Sequence, residues 1–506
     1  MNLVELADQN IEKFGEITKL IYEDQEYTNL QLIQKANQLA HGLLGLGIKP
    51  GDKVLVMLLN SPDVLISYQG VLRAGASLIP VIFLLGPKEV AHILKNSEAS
   101  AIITTKAFLD NVTQAREGIE TLQHIIIVED EDVPGTITLK SVMENRSEAN
   151  LDLTIQDEDN AVVLYTSGTT GVPKGVMLTH KNLYANAVSS YNLDPDRDPD
   201  DVGLFVLPLS HSFGLTVMNV GFMFANTSVM IPWFDLETSC RLIEKYKVMG
   251  FAGVPAIFSM FLNTPDVVDK YDLSSLTECT SGSAPLPVEV LKGFEEKFGC
   301  VIYEGYGLSE ASPIVSAHYK GRERKVGSIG QPIPGVEVKI VDLDRNELPV
   351  NEVGELIVKG LNISPGYYNM PDKTAETFID GWLYTGDMGK IDEDGYIFIV
   401  DRKKDLIIRG GFNILPRDIE EILYQHPAVI DAAVVGVPDK IMGEEVKCYL
   451  VVSPGATVTE DEIIEHCREH LAKYKCPTYV EFMDALPRNP IGKILKKELR
   501  ELNAIV

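Results

Sequence analysis

The chain of 506 residues has few of the features that mark several large protein classes. It contains two tryptophans and six cysteines, and no two cysteines form a C-x-x-C pair. This spacing indicates neither a disulfide framework nor a cysteine zinc site, so we predict free thiols in a reducing cytoplasm. The N-terminus lacks the basic segment followed by an apolar segment that defines a signal peptide.

The sequence also lacks an uninterrupted hydrophobic run. Its most apolar long window, Leu215–Trp233, contains two asparagines and a proline. This pattern predicts a buried helix followed by a strand, rather than a transmembrane segment. A peripheral membrane contact and a homodimer are both compatible with the sequence.

Basic residues are scarce, with 45 Lys and Arg against 73 Asp and Glu, and the net charge is −28. Such a chain repels a polyanion, which argues against general nucleic-acid binding. The charge is uneven, because from Arg402 onward 15 basic residues stand against 17 acidic ones. This nearly neutral part carries two basic runs, which are either solvated faces or surfaces that meet an anionic substrate.

Length and periodicity predict the fold class. At this length two or more domains are expected. Helical and strand patterns alternate through the first 320 residues, which is typical of an α/β fold with largely parallel sheets. After Gly321 short strands dominate, and a compact α+β pattern follows from Leu406. A charged stretch, Asp401–Asp405, separates two apolar strands, and we place the domain boundary there.

A phosphate-binding loop is suggested by YTSGTTGVPKGV, residues Tyr165–Val176. The loop of P-loop NTPases requires a glycine directly before the lysine and a Ser or Thr after it. Here Pro173 and Gly175 occupy those positions, so that motif fails. Hydroxyls, a flexible backbone and one cation remain, and together they still suit an anion.

A pair of histidines in HCREH, His466 and His470, stands four residues apart. Such a pair can face a metal ion on a helix. With no further ligand recognisable nearby in the sequence, we interpret this segment as an exposed helix.

Several motifs in a fixed order resemble the adenylate-forming superfamily, which includes acyl-CoA synthetases, luciferases and peptide-synthetase adenylation domains. The loop above is followed by LPLSHSFG (207–214), SGSAPL (281–286), YEGYGLSE (303–310), the long block 380–420 and LPRNPIGKILKKELR (486–500). The resemblance covers essentially the whole chain and is greatest to bacterial fatty-acid–CoA ligases. It implies an AMP-forming ligase that uses ATP, Mg²⁺, a carboxylic acid and coenzyme A.

The resemblance also implies a division into an N-terminal nucleotide- and acyl-binding domain, 1–403, and a mobile C-terminal domain, 404–506. The first would be large and multi-layered, with mostly parallel sheets and a small β subdomain. The second would be a small α+β domain that carries the catalytic lysine, with Lys404 as the hinge.

Particular residues acquire expected roles from the same resemblance. Lys493 is the principal catalytic residue of adenylation, and Glu310 holds Mg²⁺ with Thr166. Asp387 accepts the ribose hydroxyls, and Arg402 adds a cation beside the nucleotide. The other residues expected to bind ATP or AMP are Ser167, Gly168, Thr169, Thr170, Lys174, Ser283, Ala284, Pro285, Glu304, Gly305, Tyr306, Gly307 and Ser309.

Two departures from the family pattern occur at these positions. Ser309 stands where Thr is usual, and its hydroxyl is kept. Asn489 stands where Thr is common before the catalytic lysine, and nothing in the sequence suggests that this abolishes activity.

The segment around His211 bears on the identity of the acid substrate. His211 itself is either a packed histidine or, by the resemblance, a catalytic residue beside the substrate carboxylate. No acidic residue is present there to pair an amine, so an amino-acid substrate is disfavoured. Apolar residues at Phe213, Val217 and Phe222 suit an aliphatic tunnel or a plain core. A medium- or long-chain fatty acid is favoured, with an aryl or short-chain acid as the alternative and a non-catalytic nucleotide-binding scaffold as a third reading. Gly410, Gly411 and Phe412 are expected to meet CoA.

Overall fold

The computed structural model describes residues 2–166, 173–453, 455–489 and 492–502. Its first part has the helices α1 (Glu5–Phe14), α2 (Asn29–Gly45), α3 (Pro62–Arg73), α4 (Pro87–Ser97), α5 (Leu109–Ala115) and α6 (Leu139–Met143). Its strands are β1 (Thr18–Tyr22), β2 (Gln25–Thr28), β3 (Lys53–Met57), β4 (Ser77–Pro80), β5 (Ala101–Thr104), β6 (His124–Ile127) and β7 (Ile137–Thr138).

The second part continues the alternation. Its strands are β8 (Asn160–Thr166), β9 (Lys174–Thr179), β10 (Val202–Phe205), β11 (Thr227–Met230), β12 (Gly250–Gly253), β13 (Glu278–Ser281), β14 (Val301–Gly307), β15 (Ile314–Ala317) and β16 (Gln331–Pro332). Its helices are α7 (His180–Tyr191), α8 (Ser212–Gly221), α9 (Leu236–Tyr246), α10 (Pro255–Asn263), α11 (Pro265–Val268) and α12 (Val288–Phe298).

Short strands dominate the third part, as predicted: β17 (Val336–Val341), β18 (Gly354–Gly360), β19 (Gly366–Tyr367), β20 (Phe378–Ile379), β21 (Trp382–Ile391) and β22 (Ile397–Arg402), with α13 (Pro371–Thr377). The last part has β23 (Ile407–Arg409), β24 (Phe412–Ile414), β25 (Val429–Asp439), β26 (Gly443–Val452) and β27 (Tyr479–Phe482). Its helices are α14 (Pro416–Tyr424), α15 (Glu460–His470) and α16 (Lys496–Glu501), and 3₁₀ turns occur at Lys106–Phe108 and Ser309–Ala311.

Two large sheets form the first and second parts. The nine-stranded sheet has the order β16-β15-β14-β13-β12-β10-β11-β1-β2, and the eight-stranded sheet has the order β19-β9-β8-β4-β3-β5-β6-β7. Pairing is parallel from β14 to β1 and from β8 to β7, and the antiparallel pairs among the described strands lie towards the edges. The predicted α/β class with mostly parallel sheets is confirmed.

Local signals explain several element boundaries. The hydroxyl of Ser61 accepts the Val64 N–H and Pro62 occupies the first turn, so α3 begins where the sequence predicts. The apolar window 215–233 forms most of α8 and then β11, the predicted helix followed by a strand. No described helix is long and apolar enough to cross a membrane. All six cysteines are free and buried.

The third part forms a five-stranded sheet, β17-β18-β21-β20 with β22 beside β21, and the last part forms a second one, β24-β23-β26-β25 with β27 beside β26. The last part has its own apolar core between its sheet and helices α14 and α15, built from Ile419, Leu423, Val434, Leu450 and Ile463. This compact arrangement agrees with the α+β unit expected near the C-terminus.

The backbone between these two parts is bonded on both sides of Lys404. The Lys403 N–H donates to the carbonyl of Gly386, and its ammonium donates to Glu355, both of the third part. Asp405 instead pairs with Arg500 of α16 at 2.6 Å. The side chains of Lys403 and Asp405 therefore have different neighbours, although the Asp405 N–H donates to the Arg402 carbonyl of β22, and Lys404 is exposed between them.

Candidate active site

The candidate site lies where the parallel strands of the nine-stranded sheet end. Strands β12, β13 and β14 stop at Gly253, Ser281 and Gly307, and their loops meet the start of α8. A Cβ added at Gly282 would lie 3.2 Å from the ring of Phe213 and 3.5 Å from the carbonyl oxygen of Gly305. Carboxyl ends of parallel strands are where ligands bind in α/β folds, and glycine here lets the backbone segments approach closely.

On one side of the site, beside the β8–β9 hairpin, three side chains contact one another in turn: Lys174, Tyr367 and Glu310. Thr166 pairs with Lys174 at the loop end of the hairpin, and β19 pairs with β9. The Lys174 ammonium lies 5.1 Å from the centre of the Tyr367 ring, and the Tyr367 hydroxyl donates to Glu310 at 2.8 Å. Tyr367 thus contacts a cation through its ring and a carboxylate through its hydroxyl.

A second group of contacts surrounds Asp387, which is buried on β21 opposite Arg402 on β22. Its carboxylate accepts the hydroxyl of Tyr306 at 2.5 Å and pairs with the Arg402 guanidinium at 3.1 Å. Its backbone N–H donates to the Thr385 hydroxyl. Burial and the neighbouring Asp387 charge raise the pKa of Tyr306 well above its usual value, so the phenol stays a donor at neutral pH.

His211 caps the start of α8. Its Nδ1 accepts the backbone N–H of Phe213 at 3.3 Å. Removal from water, together with the charge of Lys493, lowers the pKa of His211 to about 4. The imidazole is therefore neutral at physiological pH, with its remaining proton on Nε2.

Lys493 reaches this region from the C-terminal part of the chain. A tight turn presents it: the Asn489 N–H donates to the Lys493 carbonyl, and the Lys493 N–H donates to Asn489 Oδ1, each at 2.8 Å. Gly492 in the turn has φ +81°, and a Cβ there would contact Val254 and Ala256 at 3.5 and 3.7 Å. The sequence singled out Asn489 only as a departure, and the structure gives it a bond to Lys493.

The electrostatic surroundings of Lys493 favour an anion. Burial lowers the pKa of its ammonium to about 8, with the charges of Arg402 and Lys404 contributing to this shift and those of Asp387 and Asp405 opposing it. Asp387 pairs with Arg402, and Asp405 pairs with Arg500, so both neighbouring carboxylates are already neutralised by other cations. An anionic ligand beside Lys493 would be stabilised by its ammonium and by the charge of Lys404.

The other residues predicted to bind nucleotide are partly placed. Ser283, Ala284 and Pro285 follow β13, and Ser283 has φ +71°. Gly305 and Gly307 end β14, and Ser309 begins the 3₁₀ turn that carries Glu310. Ser167, Gly168, Thr169 and Thr170 lie outside the described residues.

Glu304 differs from its neighbours because its side chain is buried towards α14. Burial raises the pKa of Glu304 to about 7, against the opposing charge of Arg417 and with Glu421 adding to the rise. Glu421 also accepts the N–H of Val288 at the start of α12. Tyr367, Arg417 and Glu421 were not predicted to be near the site, since only tertiary pairing brings them there.

The residues predicted for the acyl pocket lie in two apolar clusters, and those predicted for CoA lie in the last part of the chain. Phe213 and Phe222 belong to different apolar clusters, and Val217 packs against both. Gly410 and Gly411, at φ +56° and +84°, form the turn between β23 and β24. Phe412 after them is 56% exposed and stacks on Tyr474 with ring centres 4.9 Å apart.

Comparison with known proteins identifies the family. Residues 7–368 match the family of AMP-binding enzymes, and residues 418–493 match the AMP-binding enzyme C-terminal domain. A long-chain-fatty-acid–CoA ligase of Bacillus subtilis is 37% identical over 97% of this chain and 92% of its own length. A 4-coumarate–CoA ligase of Petroselinum crispum is also 37% identical, with the same coverage.

The solved structures agree. The anthranilate CoA ligase AuaEII, in complex with anthranoyl-AMP, superposes with a TM-score of 0.94 at 28% identity, covering 100% of this chain and 98% of that one. The chain therefore belongs to the AMP-binding enzyme family. Within it, the chain is an AMP-forming acyl-CoA ligase, whose substrates are ATP with Mg²⁺, a carboxylic acid and CoA.

Proposed function

We propose that this chain activates a fatty acid in two steps, first forming acyl-AMP with release of pyrophosphate and then transferring the acyl group to CoA. The observation that carries the proposal is the position of Lys493, whose charge acts on His211, a residue at the start of α8. That helix begins the apolar segment 212–224, so the ammonium stands between the nucleotide residues and an apolar region.

Lys493 is the proposed catalytic residue of adenylation. This step brings a carboxylate to the α-phosphate of ATP, and both are anions. An ammonium between them neutralises charge on a phosphorus with five oxygens around it. Burial reduces the proton affinity of Lys493 and so lowers its pKa. The two substrate anions would raise that affinity again, so the ammonium should be most stable when both substrates are bound.

Glu310 and Thr166 are the proposed Mg²⁺ ligands. The fit is chemical: a carboxylate and a hydroxyl are the hard oxygen donors that Mg²⁺ prefers. Within the part of the chain that the structure describes, Glu310 Oε1 accepts the Tyr367 hydroxyl, and Oε2 accepts no hydrogen bond. When bound, Mg²⁺ would neutralise phosphate charge, while Lys174 and the loop 167–170 would hold the departing phosphates.

Asp387 is the proposed ribose ligand, because a carboxylate accepts two vicinal hydroxyls. Tyr306 and Arg402 hold it in position. Ser283, Ala284 and Pro285 would border the adenine, together with the β14 backbone at Gly305 and Gly307. His211 would donate a hydrogen bond from its Nε2–H to the substrate carboxylate, while its Nδ1 accepts the Phe213 N–H.

The second step requires CoA to reach the acyl-AMP. We propose that residues 404–506 rotate about Lys404, withdrawing Lys493 and presenting Gly410, Gly411 and Phe412. The bonds of Lys403 to the third part of the chain and of Asp405 to Arg500 support this pivot. Phe412 is exposed in the present arrangement, so its ring would be available to contact CoA after the rotation.

The acid substrate is tested by pyrophosphate release with acetate, butyrate, octanoate, palmitate, benzoate and 4-coumarate. If segment 212–224 lines a tunnel, each buried methylene contributes up to about 0.8 kcal/mol. Specificity constants should then rise from four carbons until the tunnel is full.

An aryl acid is the second candidate, and the 4-coumarate and anthranilate ligases among the similar proteins favour it. A flat chain-length profile, or a preference for 4-coumarate over octanoate, would decide for it. Turnover with neither class would leave only nucleotide binding.

A further inference from the structure

The geometry points to a site for a transition-metal ion on α15, formed by His466, Glu469 and His470. This surface belongs to the last part of the chain and has no place in the ligase chemistry above. The three side chains stand at positions i, i+3 and i+4, so they share one face of the helix. One ligand atom from each lies within 4.8 Å of the other two.

Both imidazoles are oriented by the backbone. His466 Nε2 donates to the carbonyl of Ile422 on α14, and His470 Nδ1 donates to the carbonyl of His466, each at 2.9 Å. A carbonyl oxygen can only accept, so the proton is fixed on that nitrogen. In the neutral rings, His466 Nδ1 and His470 Nε2 therefore carry the free lone pairs.

This pattern is the one that metal-binding histidines use. A ligating imidazole usually donates its other N–H to a backbone carbonyl or carboxylate, which fixes the tautomer and the ring orientation. The two rings here are already close, with centres 4.8 Å apart. His426 lies beside them but uses its Nδ1 to accept the Ala428 N–H, so it is a neighbour rather than a third imidazole ligand.

The helix supplies two further favourable features. His470 is the last residue of α15, and the negative end of a helix dipole attracts a cation. Glu469 is exposed and forms no ion pair within the described ranges, whereas the adjacent Arg468 pairs with Glu465. The carboxylate is therefore available, and no basic partner has to be displaced from it.

Ligand chemistry selects the kind of ion. Two imidazoles and one carboxylate suit Zn²⁺, Ni²⁺, Co²⁺ or Cu²⁺, while Mg²⁺ and Ca²⁺ prefer sites made of oxygen alone. Water completes the coordination at this exposed position. The helix predicted for HCREH is present, and Glu469, which lies between the two histidines in the sequence, is the third ligand of the proposed site.

The test is calorimetric titration of the full-length, tag-free chain with Zn²⁺ and with Ni²⁺, after treatment with a chelator. A hexahistidine tag must be absent because it would bind the same ions. We expect one equivalent to bind, and His466→Ala or His470→Ala to lower the affinity roughly tenfold or more. Glu469→Gln should lower it less, and Mg²⁺ at the same concentration should not compete.

His41→Ala is the matched control, because it removes a histidine that also bonds a backbone carbonyl, far along the chain. Its titration should equal that of the parent chain. Visible absorption of the Co²⁺-loaded protein gives an independent readout, with ligand-field bands that disappear in the double histidine variant. Circular dichroism establishes that each variant keeps its helix content.

Equal Zn²⁺ affinity in the parent chain and the His466→Ala, His470→Ala double variant would overturn the site. So would the lack of saturable binding up to millimolar Zn²⁺ or Ni²⁺ in the parent chain. Ligase activity does not enter the test, so its outcome is independent of the proposed substrate.

Discussion

The two sides of the candidate site are held in different ways. On the N-terminal side, Asp387 is bonded to Tyr306 and Arg402, and Glu310 is bonded to Tyr367. On the C-terminal side, the turn with Lys493 bonds to itself through Asn489 and meets the rest of the site through Gly492, packed on Val254 and Ala256. The difference agrees with the proposal of a fixed nucleotide-binding side and an exchangeable side that supplies one cation.

The largest effect on the difference between the two sides is expected from Lys493→Ala. Loss of a charge directed at the transition state should lower ATP–pyrophosphate exchange by roughly 10²-fold or more. Formation of acyl-CoA from supplied acyl-AMP should be largely spared, because that step has no pentacoordinate phosphorus. Lys497→Ala, which removes an exposed lysine of the same tail, should retain both activities. Equal losses in the two half-reactions would contradict the assignment of Lys493.

The next largest effect is expected from Lys404→Pro, which should block the proposed rotation of residues 404–506. Proline locks φ near −65° and also restricts Lys403 before it. Acyl-CoA formation from acyl-AMP should fall by at least about tenfold, while pyrophosphate exchange stays within a few-fold of the parent.

Lys404→Arg is the matched control, because it keeps both the positive charge and the φ freedom. It should behave like the parent chain in both half-reactions. If both activities fell together in the proline variant at unchanged thermal stability, the pivot would have to lie elsewhere.

The pH dependence of adenylation sharpens the comparison further. Since the pKa of Lys493 is lowered to about 8, the ammonium is protonated below that value and loses its charge above it. The specificity constant kcat/KM should therefore fall about tenfold per pH unit on the alkaline side. In Lys493→Arg the guanidinium stays charged, so this decline should disappear or move to higher pH. An unchanged alkaline limb in the arginine variant would assign the titration to another group.

The smallest effect is expected from Asn489→Ala, which removes the oxygen that accepts the Lys493 N–H. A neutral hydrogen bond contributes about 0.5–1.5 kcal/mol, so adenylation should fall roughly two- to tenfold. Asn489→Thr, which supplies a hydroxyl, should recover part of this loss. A Thr variant as impaired as the Ala variant would mean that the side-chain oxygen is not what positions the turn.

Local order was largely predictable from the sequence because it depends on neighbouring residues. The N-cap at Ser61, strand β8 before the phosphate loop and the helix-then-strand window 215–233 follow from periodicity and capping. The chain Lys174–Tyr367–Glu310 could not be predicted, because it requires β19 to pair with β9, which lies almost two hundred residues earlier. The separation of Phe213 from Phe222 likewise depends on how two apolar clusters divide the interior.

The bonds on either side of Lys404 have a consequence for the balance between the two proposed arrangements. The side chains of Lys403 and Asp405 are attached to different bodies, so a rotation between them leaves the core of each body intact. The populations of the two arrangements then depend on contacts between the bodies, such as the hydrogen bonds from Arg417 to β22 and from the N–H of Val288 to Glu421. Substitutions at those contacts should redistribute the populations while the unfolding of both bodies stays unchanged. Substitutions at these contacts would therefore change the fraction of each catalytic cycle spent in each half-reaction, without changing the residues that perform the chemistry.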